Sequence, residues 1–120
     1  MANDINASDW EQKVMNSDKP VVVDFWHEQC VWCQRLNPVY EELSNEYDEA
    51  SFLKLNGRAG PENMELSQKL GIMGTPTMKI FCQGREVGEI VGFRDKNNLK
   101  SEIDNLLGES EECLTQSSKV

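Results

Sequence analysis

Two cysteines separated by two residues, in the segment Cys30-Val31-Trp32-Cys33, are the residues of this chain best suited to chemistry. An apolar segment typical of a β-strand precedes them, and a segment with helical periodicity follows. This context places Cys30 at the start of a helix, where unpaired backbone N–H groups and the helix dipole favour a thiolate. Cys33, about one turn further on, can approach the first sulfur. One thiol can then attack a substrate disulfide, and the other can resolve the mixed disulfide.

The same cysteine spacing also occurs in zinc sites, and an inert structural pair is a third interpretation. Tetrahedral zinc takes four ligands, and His27, the only histidine, adds one to the two cysteines. Cys82 would have to be the fourth, but its predicted place in a strand gives no reason to expect that. The strand-to-helix context favours redox chemistry, while metal binding and the inert pair stay open as alternatives.

Periodicity and turn signals divide the chain into elements in the order α-β-α-β-α-β-β-α. A nearly continuous run of β-branched and aromatic residues predicts a central strand over 21–26, buried on both faces. Further strands are predicted over 51–56, 77–82 and 85–91, the last two joined by a tight Gln83-Gly84 turn. Because helices separate the early strands, these should pair in parallel, and the late hairpin adds antiparallel strands to a mixed sheet.

Four helices are expected around this sheet. A capping box at Ser8–Glu11 predicts the first helix, which ends near Asn16. The second begins near Val31, and Pro38 should kink it. The third covers 62–70, with Gly71 as its left-handed cap. The last begins after a cap at Asp95, ends at Gly108, and carries one apolar stripe, formed by Leu99, Ile103 and Leu106.

Length and composition predict one globular domain over residues 1–108, followed by a polar, acidic and flexible tail over 109–120. The formal net charge of −9 opposes non-specific binding to nucleic acid. No apolar run is long enough to span a membrane, and the start of the chain has no signal-peptide pattern, so we expect a cytoplasmic protein. The acidic residues in and after the second helix are predicted to form a solvated face: Glu41, Glu42, Glu46, Asp48 and Glu49.

Several motifs occur in an order that matches a known family. They are the strand 21–26, the pair Cys30 and Cys33, Pro38 in the following helix, Gly74-Thr75-Pro76-Thr77, and Gly84 with Gly92. Together they resemble the thioredoxin family over most of the chain. The resemblance implies the thioredoxin fold, an α/β structure in which a central mixed β-sheet is flanked by helices.

The resemblance also implies roles for individual residues. Cys30 would be the attacking thiol and Cys33 the resolving thiol. The Thr75-Pro76 peptide would be cis and would face the sulfurs, and the backbone before the proline would pair with an extended substrate strand. The substrate-binding residues implied in this way are Gly74, Thr75, Pro76 and Gly92.

Two charged residues interrupt the apolar strands, Asp24 in the first and Lys54 in the second. Burying either charge without a partner would cost several kcal/mol, on the order quoted for ions in proteins. Each residue therefore either reaches water at an edge or has a function. The resemblance, which includes a matching buried Asp and Lys, favours a catalytic function for both. Asp24, its pKa raised by burial, would accept the Cys33 proton directly or through water.

The sequence departs from the family pattern between and beside the cysteines. Val31-Trp32 replaces the usual Gly-Pro, and Gln29 replaces the usual Trp before the first cysteine. Trp32 either belongs to an apolar docking surface for substrates, which we favour, or packs against the helix. His27 could favour the Cys30 thiolate if protonated, although an ordinary polar position is the simpler interpretation. Cys82 is predicted to be a small strand-end residue, and Cys113 a reactive thiol in the tail.

These observations predict a thiol–disulfide oxidoreductase that reduces protein disulfides. No nucleotide or metal motif is present, so we expect no bound cofactor, and electrons must come from a separate protein. The resemblance implies that this protein is a thioredoxin-reductase-type electron donor. We expect a monomer that binds neither nucleic acid nor membrane. Three alternatives remain: an oxidase or isomerase of an oxidising compartment, a CxxC metal or cluster carrier, and a redox-silent adaptor with the same fold.

Overall fold

The structure, a computed structural model, describes the backbone of residues 1–118 and the side chains of residues 1–108. It consists of one five-stranded mixed sheet with helices on its faces, as predicted. The strands are β1 (Asn3–Ile5), β2 (Val21–Trp26), β3 (Ser51–Asn56), β4 (Thr77–Cys82) and β5 (Arg85–Val91). The helices are α1 (Val31–Ser44), α2 (Pro61–Lys69) and α3 (Lys96–Ser118).

The sheet has the strand order β1-β3-β2-β4-β5, so that β2 lies at its centre. The strands β1, β3 and β2 are parallel, whereas β4 is antiparallel to both β2 and β5. Residues 21–25 of β2 are all buried, which is why this strand shows no alternation of polar and apolar residues. The chain leaves the carboxyl end of β2 and enters α1 at Cys30, which places the two cysteines at the sheet edge.

The N-terminal segment differs from the prediction. A short strand, β1, precedes the first helical segment, and this segment is a 3-10 turn (Ala7–Asp9) followed by a π-helical turn (Glu11–Met15). The cap forms two residues earlier than predicted, because the Asn6 N–H donates to the Asp9 carboxylate at 2.9 Å. A three-residue strand and a five-residue turn are too short to produce a readable period.

Helix α1 continues through Pro38 and packs its apolar face on the sheet. Leu36, Tyr40 and Leu43 are buried there. The Tyr40 hydroxyl lies 3.0 Å from the Val22 carbonyl oxygen and 2.8 Å from that of Leu53. This hydroxyl therefore connects α1 to both β2 and β3, directly beside the strand positions of Asp24 and Lys54.

The later turns and caps largely follow the sequence. Gln83 and Gly84 both have positive φ, as a two-residue hairpin turn requires. Gly71, at φ +73°, follows α2 as predicted. The Asp95 carboxylate accepts from the Asn98 N–H at 2.9 Å and caps α3. In that helix Leu99, Ile103 and Leu107 are buried, and Leu106 is partly buried.

The predicted end of the last helix at Gly108 is wrong, since α3 continues to Ser118. A glycine within a helix costs only about 1 kcal/mol relative to alanine, which is too little to end a helix that its neighbours continue. The division into a domain over 1–108 and a flexible tail stays a prediction. The side chain of Cys113 lies outside the described residues. Cys82, as expected, is a buried residue at the end of β4. Among the described helices, none is long and apolar enough to cross a membrane.

Candidate active site

The two cysteines form a disulfide at the N-terminus of α1. Cys30 is the N-cap residue of this helix, and its Sγ accepts a hydrogen bond from the Cys33 N–H at 3.1 Å. The donor is one of the N–H groups that a helix leaves unpaired at its start, and it would stabilise a negative charge on the same sulfur. Cys30 is 9% exposed and Cys33 only 3%. Of the two sulfur-bearing side chains, Cys30 is therefore the more accessible from outside.

A cis peptide bond between Thr75 and Pro76 lies opposite the disulfide, as the resemblance implied. The Cys30 Sγ is 3.5 Å from the Thr75 carbonyl oxygen. Two neighbouring carbonyl groups are occupied within the chain: that of Pro76 accepts from the Gly92 N–H at 2.8 Å, and that of Gly74 from the Thr77 hydroxyl at 2.6 Å. Gly92, at φ +93°, directly follows β5. Of these four positions, Thr75 contacts the Cys30 sulfur, Gly74 and Pro76 flank it in the chain, and Gly92 is hydrogen-bonded to Pro76.

Asp24 lies in the centre of the sheet, behind the disulfide, and is only 2% exposed. Its Oδ1 has no hydrogen-bond partner among the described residues. Burial raises the pKa of Asp24 to about 7, while the Lys54 charge acts in the opposite direction. A cavity of about 360 Å³ is lined by both Asp24 and Cys33, and it is large enough for several water molecules. The buried carboxyl group and the buried cysteine thus face one shared cavity.

Lys54 lines the same cavity but does not form an ion pair with Asp24. Its Nζ is 3.0 Å from Glu41 Oε2, 3.2 Å from Asn37 Oδ1 and 4.0 Å from Asp4 Oδ1. Glu41 is therefore only partly solvated, whereas the other four acidic residues of the predicted solvated face are exposed. A signal was present in the sequence, because Cys33, Asn37 and Glu41 are spaced by four residues and share one face of α1.

Comparison with known proteins agrees with this geometry. The family model described as "Thioredoxin" matches residues 2–105. The chain belongs to the thioredoxin family. It is 38% identical over 106 residues to a thioredoxin of Rickettsia bellii, an alignment that covers 88% of this chain and 98% of the relative. It is 36% identical to a chloroplastic M-type thioredoxin of Brassica napus, covering 86% of this chain and 57% of that protein.

The fold is also that of the thioredoxin family. A crystal structure of thioredoxin F from spinach chloroplast (short form) matches with a TM-score of 0.78 and 34% identity, over 88% of this chain and 92% of that one. Together with the Cys30–Cys33 pair, these relatives make the chain a thiol–disulfide oxidoreductase with protein-disulfide reductase activity. In general terms, thioredoxins act on disulfide-containing proteins and receive electrons from a reductase.

Trp32 lies between the two cysteines, where the sequence departs from the usual family pattern. Its side chain is 52% exposed, directly beside the disulfide. The ring lies 5.6 Å from that of Phe93, centroid to centroid, and the Arg35 Cζ is 5.1 Å from the Trp32 centroid. The Trp32 ring thus contacts Phe93, a residue just after β5, as well as Arg35 of its own helix. Phe93 was not predicted, since nothing in the sequence connects it to Trp32.

His27 adds no positive charge to the site at neutral pH. Burial and, to a smaller extent, the nearby Arg58 charge lower the pKa of His27 below its ordinary value. Its Nδ1 accepts a hydrogen bond from the Gln29 N–H at 3.2 Å, which fits the neutral ring. The structure therefore agrees with the simpler interpretation of a local polar residue. Over the described residues, no group of three or more His, Cys, Asp or Glu side chains is placed to hold a metal ion.

Proposed function

We propose that this thioredoxin reduces protein disulfides with Cys30 as the attacking thiol and Cys33 as the resolving thiol. The observation that carries this assignment is the position of Cys30 as the helix N-cap, where its sulfur accepts the Cys33 N–H and is the more exposed of the two. The N-terminal end of α1 favours the thiolate at this atom. Cys33 is better placed for the second step, in which its target is the adjacent Cys30 sulfur.

The reaction proceeds by two exchanges of sulfur bonds. The Cys30 thiolate attacks one sulfur of the substrate disulfide, the substrate S–S bond breaks, and one substrate thiolate leaves. The Cys33 thiol loses its proton and attacks the Cys30 sulfur of this mixed disulfide. The second substrate thiolate leaves, and the Cys30–Cys33 disulfide forms. The substrate has gained two electrons, which a thioredoxin-reductase-type protein must return to Cys30 and Cys33.

Asp24 is proposed to accept the Cys33 proton through water in the shared cavity. A carboxyl group with a pKa near 7 exchanges protons readily at neutral pH, whereas an ordinary aspartate is a weaker base. Lys54 is proposed to belong to the same catalytic group, because its positive charge favours the ionised form of Asp24. When the reductase regenerates the dithiol, Asp24 would return the proton to Cys33.

The substrate strand is proposed to pair with the backbone of Thr75. The carbonyl groups on either side, those of Gly74 and Pro76, already accept hydrogen bonds within the chain. Thr75 is therefore the residue of this loop best placed to bind an extended segment next to Cys30. Gly92 holds the proline through the hydrogen bond from its N–H to the Pro76 carbonyl oxygen, and is proposed to contribute to the same substrate-binding surface.

Trp32 is proposed to be the aromatic anchor for protein substrates, and Trp32→Ala tests this. Aromatic anchors in interfaces are typically worth about 1–2 kcal/mol or more. We therefore expect the KM for insulin to rise about 5- to 30-fold with little change in kcat. Stopped-flow rates with a small disulfide such as oxidised glutathione serve as the control and should change less than about two-fold. Equal losses for both substrates would show that Trp32 acts on the sulfurs rather than on docking.

The reductase assignment also sets the expected redox equilibrium. Titration against dithiothreitol or glutathione buffers should give a midpoint nearer to about −270 mV than to about −120 mV, the values typical of thioredoxin and of a strong oxidant. The protein should also catalyse the reduction of insulin with dithiothreitol as electron donor. A midpoint near −120 mV would contradict the proposed direction and favour an oxidase.

The cellular compartment follows from the proposed direction of electron transfer, which is toward the substrate disulfide. A protein reductase works where thiols are kept reduced, and we therefore propose the cytoplasm. We also propose a monomer, because the disulfide, the cis-proline loop and the Asp24 cavity all come from one chain.

A further inference from the structure

The ammonium group of Lys54 is held on one side of the Asp24 cavity. In the parallel register of β2 and β3, Lys54 lies opposite Asp24, so an ion pair between them would be the simplest arrangement. Instead, the closest carboxylate to Lys54 Nζ is that of Glu41 on α1, at 3.0 Å. Asn37 Oδ1, on the same helix, is 3.2 Å away. Asp24 Oδ1 is left without a hydrogen-bond partner among the described residues.

Glu41 is itself fixed at both of its oxygens. Oε1 accepts from the Ala2 N–H at 2.9 Å, and Oε2 accepts from Lys54 Nζ. Partial burial raises the pKa of Glu41, but the hydrogen bonds from Lys54 and Ala2 outweigh it, so the group stays ionised at neutral pH. The side chain is 33% exposed, which makes it a partner at the rim of the cavity rather than a core residue.

We propose that Glu41 is a positioning residue that holds the Lys54 ammonium group at the α1 side of the cavity, away from the Asp24 carboxyl group. Glu41 touches neither sulfur, and it acts on the site only through Lys54. Only the catalytic consequence of this placement rests on the proposed function. That consequence is that Asp24 can accept the Cys33 proton at neutral pH. The placement of Lys54 can be tested without any substrate.

The electrostatic consequence follows from the groups that face Asp24. These are Lys54 from β3, Asp4 from β1, and the Cys33 and Tyr40 side chains from α1, while Glu41 of α1 contacts Lys54. Lys54 is the only cation in this set. If Glu41 is neutralised, the Lys54 charge is less compensated, and its ammonium group is released toward the unpaired Asp24 oxygen. Both effects stabilise the Asp24 carboxylate, so the pKa of Asp24 should fall.

The experiment is an NMR titration of the labelled Asp24 carboxyl carbon in wild type and Glu41→Gln, with the Cys30–Cys33 disulfide intact. The glutamine keeps an oxygen for the Ala2 N–H, and circular dichroism checks the fold. We expect the Asp24 midpoint to shift down by at least about 0.5 pH units. Glu42→Gln is the matched control, because this neighbour pairs with Lys96 at 2.7 Å instead, and it should shift the midpoint by less than about 0.2. Equal shifts in the two variants would overturn the proposal.

A second comparison asks whether Glu41 acts through Lys54. In a Lys54→Gln background, adding Glu41→Gln should no longer shift the Asp24 midpoint. An undiminished shift would mean that Glu41 acts directly on Asp24, and the proposal would be wrong. The proposed function fails on a different measurement: if Asp24→Asn left the pH profile of mixed-disulfide resolution unchanged, Asp24 would not be the proton acceptor, whereas the Glu41 result would stand.

Discussion

Cys33→Ser is expected to lower insulin turnover by at least about 10³-fold while leaving the first attack by Cys30 intact. The serine cannot break the mixed disulfide, so each molecule stops after one exchange and waits for an external thiol. In the native site, Cys33 is close enough to Cys30 to form a disulfide with it. Well-oriented intramolecular groups reach effective concentrations of about 10⁵ M or more, whereas dithiothreitol in an assay is present at about 1 mM.

The second thiol should matter more than the reactivity of the first. Lowering a thiol pKa from about 8.5 to about 7 raises its thiolate fraction at neutral pH about 16-fold. With a Brønsted slope near 0.45, the same change costs about five-fold in nucleophilicity, so the net gain is only about three-fold. We therefore expect the helix N-terminus at Cys30 to select which sulfur attacks first, without by itself supplying most of the rate.

The two cysteine variants should be distinguishable by mass spectrometry. Cys33→Ser should accumulate a mixed disulfide between Cys30 and the substrate, whereas Cys30→Ser should accumulate little, because Cys33 is buried. Cys82→Ala is the control for the loss of a thiol elsewhere, and its turnover should be close to that of the wild type. Efficient trapping by Cys30→Ser would reverse the assigned roles, and substantial turnover by Cys33→Ser would remove the need for a resolving thiol.

The sequence was most informative where one element alone determines the position of a residue. Apart from Asp24, Val21–Trp26 is apolar, so the central place of this strand could be predicted, whereas the role of Asp24 was favoured only through the family resemblance. The change from strand to helix located Cys30 at a helix start, where its sulfur accepts a hydrogen bond from the Cys33 N–H. The disulfide itself follows from the spacing of the two cysteines on one turn of one helix.

Contacts between elements were the part that the sequence could not provide. Glu41 and Lys54 are 13 residues apart on a helix and a strand, and only the crossing of α1 over the sheet brings them to 3.0 Å. For this reason Glu41 is only partly solvated. Phe93, two residues after the end of β5, supports Trp32, and no periodicity connects the two rings. Side-chain packing across long separations decides such pairs, and local propensity does not.

Asp24→Asn is expected to gain stability relative to the wild type as the pH rises, by about 3–4 kcal/mol between pH 4 and pH 8. Burial raises the pKa of Asp24 from 3.8 to about 7. The folded protein therefore binds this proton more tightly than the unfolded chain does. Between pH 3.8 and about 7, the unfolded chain has already released this proton, whereas the folded protein still binds it. The free energy of unfolding of the wild type therefore falls as the pH rises through this range, and the loss is complete above about pH 7. Asparagine does not titrate, so the variant lacks this loss.

Guanidinium unfolding of the two disulfide-bonded proteins at several pH values measures this difference. Comparing a pH trend rather than a single value removes the cost of burying the amide, which is the same at each pH. Asp48→Asn, an exposed matched change, should show no such trend. If the difference in free energy of unfolding between Asp24→Asn and the wild type did not change with pH, Asp24 would have an ordinary proton affinity in the fold.

The gain in stability should accompany slower turnover, and unchanged turnover between pH 6 and 9 would argue against the proton-accepting role. The same desolvation that destabilises the sheet is what makes this carboxyl group a base near neutral pH, so the cost and the chemistry should disappear together in the variant.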